Sequence, residues 1–421
     1  MKRIDTDILI AGGGVAGLTA TVAFAAEGFD VICVDPAPPV TSAEAEGSDL
    51  RSTAFLMPSI DLLRRAGLWE RLEPYSAPLR VMRLADAGGP EQAIRETADF
   101  VAEELGEPAF GYNLPNWLLR REIAARIDEL PNARLIAPAR LDRFTPRTAT
   151  AIAALSDGTT VRSPLVIAAD GRDSPTRQAA GIAARRWSYG QKAVVFTVTH
   201  TLSHDGVSTE IHRTGGPFTL VPLPDRGAEL HSAVVWMETG PRASELAAMD
   251  KPDFEEALNA RSCGVLGRLS LASARRVWPI ISQIADRLDG PRLALVAEAA
   301  HVIPPIGAQG LNMSLRDVAT LRDLCVAARG AGDEIGAPDL LARYSRTRHP
   351  DILARVLGVD VLNRSAMVQS PPLRDVRRFG LKTLHELKPL RRSAMSIGLG
   401  VEMGVAGQKS RSMARSTPPH A

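Results

Sequence analysis

Residues 8–20, ILIAGGGVAGLTA, decide how the rest of the chain is read. Asp7 to Ala11 is a short apolar run with the look of a buried strand. Gly12-Gly13-Gly14-Val15-Ala16-Gly17 follows, and an alanine-rich helical stretch then runs to near Gly28. A second apolar strand, Val31 to Val34, stops at Asp35, so strand, glycine turn, helix, strand and acid fall within about 30 residues, the order of a dinucleotide-binding βαβ unit. Each glycine has a physical task. Gly12 permits the tight turn, Gly14 lets backbone N–H groups approach a pyrophosphate, and Gly17 allows the helix to pack close to the strand. The helix start turns its positive dipole end toward the phosphates, and Asp35 is placed to accept hydrogen bonds from a ribose diol. This pattern alone does not choose between NAD and FAD.

Two later stretches carry similar strand-to-loop chemistry. In LVIAADGRDSPTR, Leu165 to Ala169 reads as a buried strand ending at Asp170-Gly171, and no strand resumes directly after that turn. In RLALVAEAAHVIPPIGAQGLNMSLRDVATL, the strand Leu293 to Ala297 delivers Glu298, and a loop with Pro304, Pro305, Gly307 and Gly310 feeds a helix opening at Leu311-Asn312. Such a helix start presents free N–H groups and a positive dipole to something negative or electron-rich.

Working outward, 421 residues suit two or three domains with a large core. Fifty Lys+Arg against 48 Asp+Glu, a formal charge of +2, give no basic field of the kind that binds nucleic acid. Cys33, Cys263 and Cys325 are odd in number and far apart, which points to a reducing, cytoplasmic setting and to no metal cluster. MKRIDTDILIAGGG lacks the apolar core of a secretory signal, and no window is long and apolar enough to span a membrane. Lys192 to His200, Phe218 to Leu223 and Glu229 to Trp236 predict a mostly antiparallel sheet in a second domain, with Val194, Phe196, Phe218, Leu220, Leu223 and Trp236 as its inward apolar positions, which suit an apolar pocket and a packed core alike. Helical periodicity returns after Gly310, and a further helix is expected over Leu340 to Arg348. From Leu373 to the end, ten basic residues face three acidic ones, alternating with Leu, Phe, Met and Ile. That tail reads either as a solvated helix with a frayed end or as a surface that lies on an anionic membrane or a partner.

These motifs, in this order, resemble the FAD-dependent aromatic hydroxylases related to para-hydroxybenzoate hydroxylase, and within them the ubiquinone-biosynthesis hydroxylases that act on 2-polyprenylphenols. The resemblance runs from ILIAGGGVAGLTA through DLRSTAF, YNLPNWLLRREI, AADGRDSPTR, WSYGQKAV, GPFTLVPLP and AEAAHVIPPIGAQGLNMSLRDV to LARYSRTRHPDI. It implies a mixed α/β fold: a Rossmann-like FAD-binding domain (residues 1–75, 110–183 and 284–350), an inserted, mainly antiparallel β-sheet substrate domain (76–109 and 184–283), and a helical, basic C-terminal segment (351–421). It implies further that Gly12, Gly14, Val15, Ala16, Gly17 and Asp35 hold the adenosine half of FAD, with Arg51 also on the cofactor and Asp170 near the pyrophosphate. Glu298 corresponds to the acidic residue on the ribityl chain. Gly307, Gln309, Gly310, Leu311 and Asn312 border the isoalloxazine ring, and Asn116 matches a position near the flavin.

The implied reaction reduces FAD, adds O2 as a flavin C4a-hydroperoxide and transfers one oxygen to a phenol ring, without a metal. NAD(P)H or a ferredoxin-type reductant is the implied electron donor. Tyr189 and His301 are candidates for moving a proton at the substrate, with more weight as structural residues. The implied setting is cytoplasmic, with peripheral contact at the inner face of a membrane and a biosynthetic complex as a further partner. A hydroxylase of a small soluble aromatic compound and a catalytically weak flavoprotein assembly subunit are the alternative readings. Two departures stand out: Ala297 where the family has glycine, followed by Glu298 where it has aspartate, and Ser314 where glycine is usual.

Overall fold

The computed structural model describes residues 2–88, 93–213, 215–367, and 386, 391, 392 and 395. Four short strands, Ile8–Ala11, Val31–Val34, Leu165–Ala168 and Leu293–Leu295, are buried along their whole length, as strands covered on both faces must be. With Ala133–Ile136 they form a parallel sheet, ordered Leu293–Leu295, Leu165–Ala168, Ile8–Ala11, Val31–Val34, Ala133–Ile136, to which Asp289–Gly290 adds an antiparallel edge. The helix Val15–Ala25 is buried at nearly every position, because it lies between this sheet and the helices Asn116–Glu129 and Gln309–Ala331. Its many alanines are what let three helices approach so closely.

A nine-stranded, largely antiparallel sheet forms the second layer. Its long strands Ala184–His200, Leu230–Thr239 and Arg276–Ala285 are joined by Pro217–Pro222, Val207–His212, Val81–Asp86 and Glu96–Val101, so residues near 80–100 enter the same sheet as those of 184–285. His301–Val302 pairs with Arg276–Ala285 and ties this sheet to the nucleotide-type layer.

The face assignment expected for this sheet is reversed. Val194, Phe196, Phe218, Leu220 and Trp236 turn away from the interior cavity and pack under the helices Gly240–Ala248 and Lys251–Ser262, with Phe196 edge-on to Phe254 at 5.0 Å and Phe218 edge-on to Trp236 at 5.5 Å. None of the six expected positions, Leu223 included, lines the cavity. The opposite parity does: Ala193, Val195, Thr219, Val221, Ala233 and Val235. Side chains alternate across a strand, so a misjudged face moves every residue at once. Here both parities are apolar, and the two helices that claim the aromatic face lie at the end of the insertion.

The helix expected over Leu340 to Arg348 extends from Pro338 to Ala366, through Pro350 and across the expected boundary at 350/351. Proline inside a helix forfeits one hydrogen bond. Burial of Ile352, Val356 and Val359 beyond it outweighs that loss. Past this helix, Glu386, Arg391, Arg392 and Met395 hold helical backbone, Arg391 paired with Glu104 at 2.8 Å and Met395 packed with Leu56, Phe100 and Phe110. The rest of the basic tail lies outside the described residues. No helix among the described residues is long and apolar enough to cross a membrane.

Candidate active site

A cavity of about 1060 Å³ opens where the carboxyl ends of the parallel strands meet the large sheet. In open α/β sheets this crevice is where ligands bind. Its wall begins with Gly12, Gly14, Val15, Ala16 and Asp35, passes Asp170, Arg172 and Glu298, and reaches Gly307, Gln309, Gly310 and Leu311 before the β-sheet face.

The glycine turn is sterically determined. Gly12 sits at φ +108°, and a Cβ there would stand 2.3 Å from the Ala169 carbonyl oxygen; a Cβ on Gly17 would stand 1.9 Å from that of Gly12. Gly13, which sequence reasoning left without a task, has no room either, because a Cβ would fall 2.8 Å from that of Asp35. Gly14 differs: nothing lies within 4 Å of its Cβ position, so the turn presents bare backbone to the cavity. Asp35 accepts the Gly13 N–H through Oδ2 at 2.6 Å and the Ala37 N–H through Oδ1 at 2.9 Å, which leaves further lone pairs on both oxygens.

Asp49 is the centre of a second cluster. Arg51 donates to it from Nε and Nη2, both at 2.8 Å, and Asn116 Nδ2 donates at 3.0 Å. Burial alone would raise the Asp49 carboxyl, but the Arg51 hydrogen bonds and charge outweigh it and hold it below the ordinary carboxylate range. Arg51 also lies 4.4 Å from the ring centre of Trp278, and all four residues line the cavity. Sequence reasoning singled out Arg51 and Asn116 but missed Asp49, although it opens the quoted DLRSTAF segment.

Asp170 turns inward on its own loop, accepting from Ser174 Oγ and from the Thr176 N–H at 3.0 Å, so its carboxylate shapes the turn. Glu298 pairs with Arg172 at 3.2 Å. Ala297 before it adopts φ +56° and Ala308 φ +55°, left-handed conformations that favour glycine. The helix Gln309–Ala331 starts without a side-chain cap, and its first residues, Gln309, Gly310 and Leu311, line the cavity. Ser314 Oγ bonds back to the Gly310 carbonyl at 3.1 Å and leaves that helix start open.

Two expected residues do not serve as expected. Asn312 does not line the cavity: its Oδ1 accepts from the Leu56 N–H (2.9 Å) and Ser59 Oγ (2.7 Å), and its Nδ2 donates to the carbonyls of Ala54 (2.7 Å) and Ala308 (2.6 Å). Its amide is fully spent in tying the loop to the Ser52–Leu56 strand. Tyr189 also lies off the cavity, donating to Asp360 at 2.6 Å beside Trp187 and Ser282; burial first, then this bond, raises its phenol above the ordinary value. That bond commits the hydroxyl proton to Asp360. His301 does line the cavity, yet it is 2% exposed, and its Nε2 sits 2.7 Å from Asp317 Oδ2. Asp317 in turn accepts from Arg348 Nε at 2.9 Å.

The bare turn at Gly14, the acceptor Asp35 and the uncapped helix start at Gln309 together fit a long dinucleotide. A profile of the FAD binding domain family matches residues 5–356. The chain belongs to that family. It is 37% identical over 394 residues to the ubiquinone hydroxylase UbiL of Rhodospirillum rubrum, covering 94% of this chain and 89% of that one. It is 29% identical over 403 residues to the 3-demethoxyubiquinol 3-hydroxylase of Escherichia coli, covering 95% and 100%. These relatives place the chain among the FAD-dependent ubiquinone-biosynthesis monooxygenases, and FAD is its cofactor. The crystal structure of p-nitrophenol 4-monooxygenase PnpA from Pseudomonas putida superposes with a TM-score of 0.75 at 17% identity, covering 94% of this chain and 97% of that one, and so shares the fold.

Proposed function

We propose that this monooxygenase hydroxylates the ring of a polyprenylated phenol in ubiquinone biosynthesis. The observation that carries the substrate class is the cavity wall opposite the glycine turn: Met82, Leu84, Ala193, Val195, Val221 and Val235 form an apolar surface suited to a ring bearing an isoprenoid chain. The relatives are named a ubiquinone hydroxylase and a 3-demethoxyubiquinol 3-hydroxylase, which supports the same reading. We further assign residues 1–75, 110–183 and 284–350 to cofactor binding and 76–109 with 184–283 to the substrate.

Bound FAD supplies the redox chemistry that activates O2 and delivers one oxygen atom to the ring. The protein binds and orients. Asp35 accepts from the ribose diol, and the Gly14 backbone with the start of the Val15–Ala25 helix faces the pyrophosphate. Arg51, fixed by Asp49 and Trp278, supplies positive charge beside the cofactor. The N–H groups at Gln309 to Leu311, at the positive end of a 23-residue helix, stabilise negative charge at the flavin edge. The apolar sheet face excludes water from the reacting ring. Electrons come from NAD(P)H or a ferredoxin-type reductant.

Leu353, Leu357 and Val361 form an exposed apolar line along the last long helix, with Leu362 beside it, and Leu362 also reaches the cavity. That continuity supports contact with the membrane that holds a prenylated substrate; weaker flotation of Leu357→Glu than of wild type with anionic vesicles is the expected result, and equal flotation contradicts it. The function itself is tested by supplying the FAD-loaded protein with each donor and a short-chain prenylphenol. Oxygen uptake matched by a product 16 mass units heavier is expected, and uptake without product on any prenylphenol contradicts the reading.

A further inference from the structure

The apolar sheet face that lines the cavity carries a polar island. Glu210 and His212 lie two residues apart on the Val207–His212 strand, so both side chains point to the cavity side, and both line it. His212 Nε2 stands 2.6 Å from Glu210 Oε1. Thr219 lies directly opposite Glu210 in the neighbouring strand and also lines the cavity. Around them the wall is Leu84, Val221 and Val235.

A carboxylate set into such a wall is costly unless its acceptors are used. The other polar side chains on this face have partners within the protein: Asp86 is paired with Arg95 at 2.5 Å, and Ser208 bonds the Leu220 carbonyl at 3.4 Å. Glu210 has one such bond, from His212 to Oε1. Its Oε2 receives none from any described residue.

With Glu210 ionised, Nε2 of His212 carries the proton and donates, so the imidazole orients the carboxylate and leaves Oε2 as an acceptor on the cavity side. We propose that Glu210, oriented by His212 and flanked by Thr219, accepts the hydrogen bond of the substrate's phenolic hydroxyl and sets which ring carbon meets the flavin. Hydrogen bonding to a carboxylate also enriches the ring in electrons, as transfer of an electrophilic oxygen demands. This deepens the function proposed above and rests on it.

The test compares binding of a short-chain prenylphenol and its O-methyl ether to the FAD-loaded protein by calorimetry. Wild type is expected to bind the phenol about tenfold or more tightly than the ether, the worth of a hydrogen bond to a charged acceptor. Glu210→Gln, checked for retained FAD and an unchanged melting temperature, is expected to lose that preference while binding the ether as wild type does. Thr219→Val should lose part of it, and provides a second variant should Glu210→Gln fold poorly. Equal affinity of wild type for phenol and ether, or a full preference retained in Glu210→Gln, overturns the assignment of Glu210 alone. A wild type that binds and hydroxylates no prenylphenol refutes the substrate reading and this inference with it.

Discussion

The Gly13 amide lies 2.6 Å from Oδ2 of Asp35, so the glycine turn and the tip of the second strand are held together by the same carboxylate that offers its remaining lone pairs to the cavity. Asp35→Ala removes both services. Apo-protein titrated with FAD should show an affinity at least tenfold weaker than wild type, from the loss of hydrogen bonds to a charged acceptor worth about 1.5–3 kcal/mol. An unchanged affinity would show that the ribose is held elsewhere.

Asp317 is completely buried and serves three groups at once: His301, Arg348 and the Ala297 N–H at 3.3 Å. Asp317→Ala takes from the buried Arg348 guanidinium one of its two carboxylate partners, leaving Asp351 at 2.6 Å, and leaves His301 Nε2 without its acceptor. Loss of a completely buried partner to two side chains should cost about 1–3 kcal/mol for each group left unsatisfied, which should appear as a drop in the denaturant midpoint. Asp317→Asn should cost less, since its carbonyl still accepts one of the bonds.

Cys33 and Cys325 are buried, and burial pushes both thiols up to about 12. At pH 8 the folded protein should therefore react with a thiol reagent at Cys263 only, and slowly, whereas the unfolded chain should react at all three. The same shift sets a pH dependence. Above the thiol value of the unfolded chain, near 9, the unfolded state loses protons that the folded state keeps, so stability present below that pH falls as pH rises toward 12. The slope is about 1.4 kcal/mol per pH unit for each thiol. Replacing both residues by alanine should flatten that limb of the stability curve.

Ala297 occupies a left-handed backbone conformation at φ +56°, which disfavours any residue with a Cβ. Ala297→Gly should stabilise the folded protein by up to about 1 kcal/mol, the strain relieved less the backbone entropy that glycine adds. A destabilised variant would mean that the methyl packing is worth more than the strain.

How much of this was legible in the sequence depended on how local the physics is. The βαβ opening was largely readable, since Gly17 meets Gly12 and Asp35 meets Gly13 within 25 positions, whereas the crowding at Gly12 comes from Ala169, far along the chain, and Gly13 left no signature. The second sheet was legible as strands but not as faces. Val194 and Val195 are both apolar, and only the packing of Phe254 and Leu258 against one side decides which faces the cavity. Asn312 lay in the right motif, but the carbonyls and amides of Ala54 and Leu56, more than 250 residues away, claim its side chain. The helix beyond Pro350 was hidden because a local breaker is overruled by long-range burial. Glu210 and His212 carry no motif at all; alternation on a strand could have paired them, but not shown that they face a cavity.

The most direct measurement is the quinone extract of a strain lacking this gene, resolved by mass spectrometry. A monooxygenase of prenylated phenols predicts loss or depletion of ubiquinone and accumulation of a prenylphenol one oxygen short, restored by the wild-type gene. Normal ubiquinone with no accumulated precursor would contradict the account.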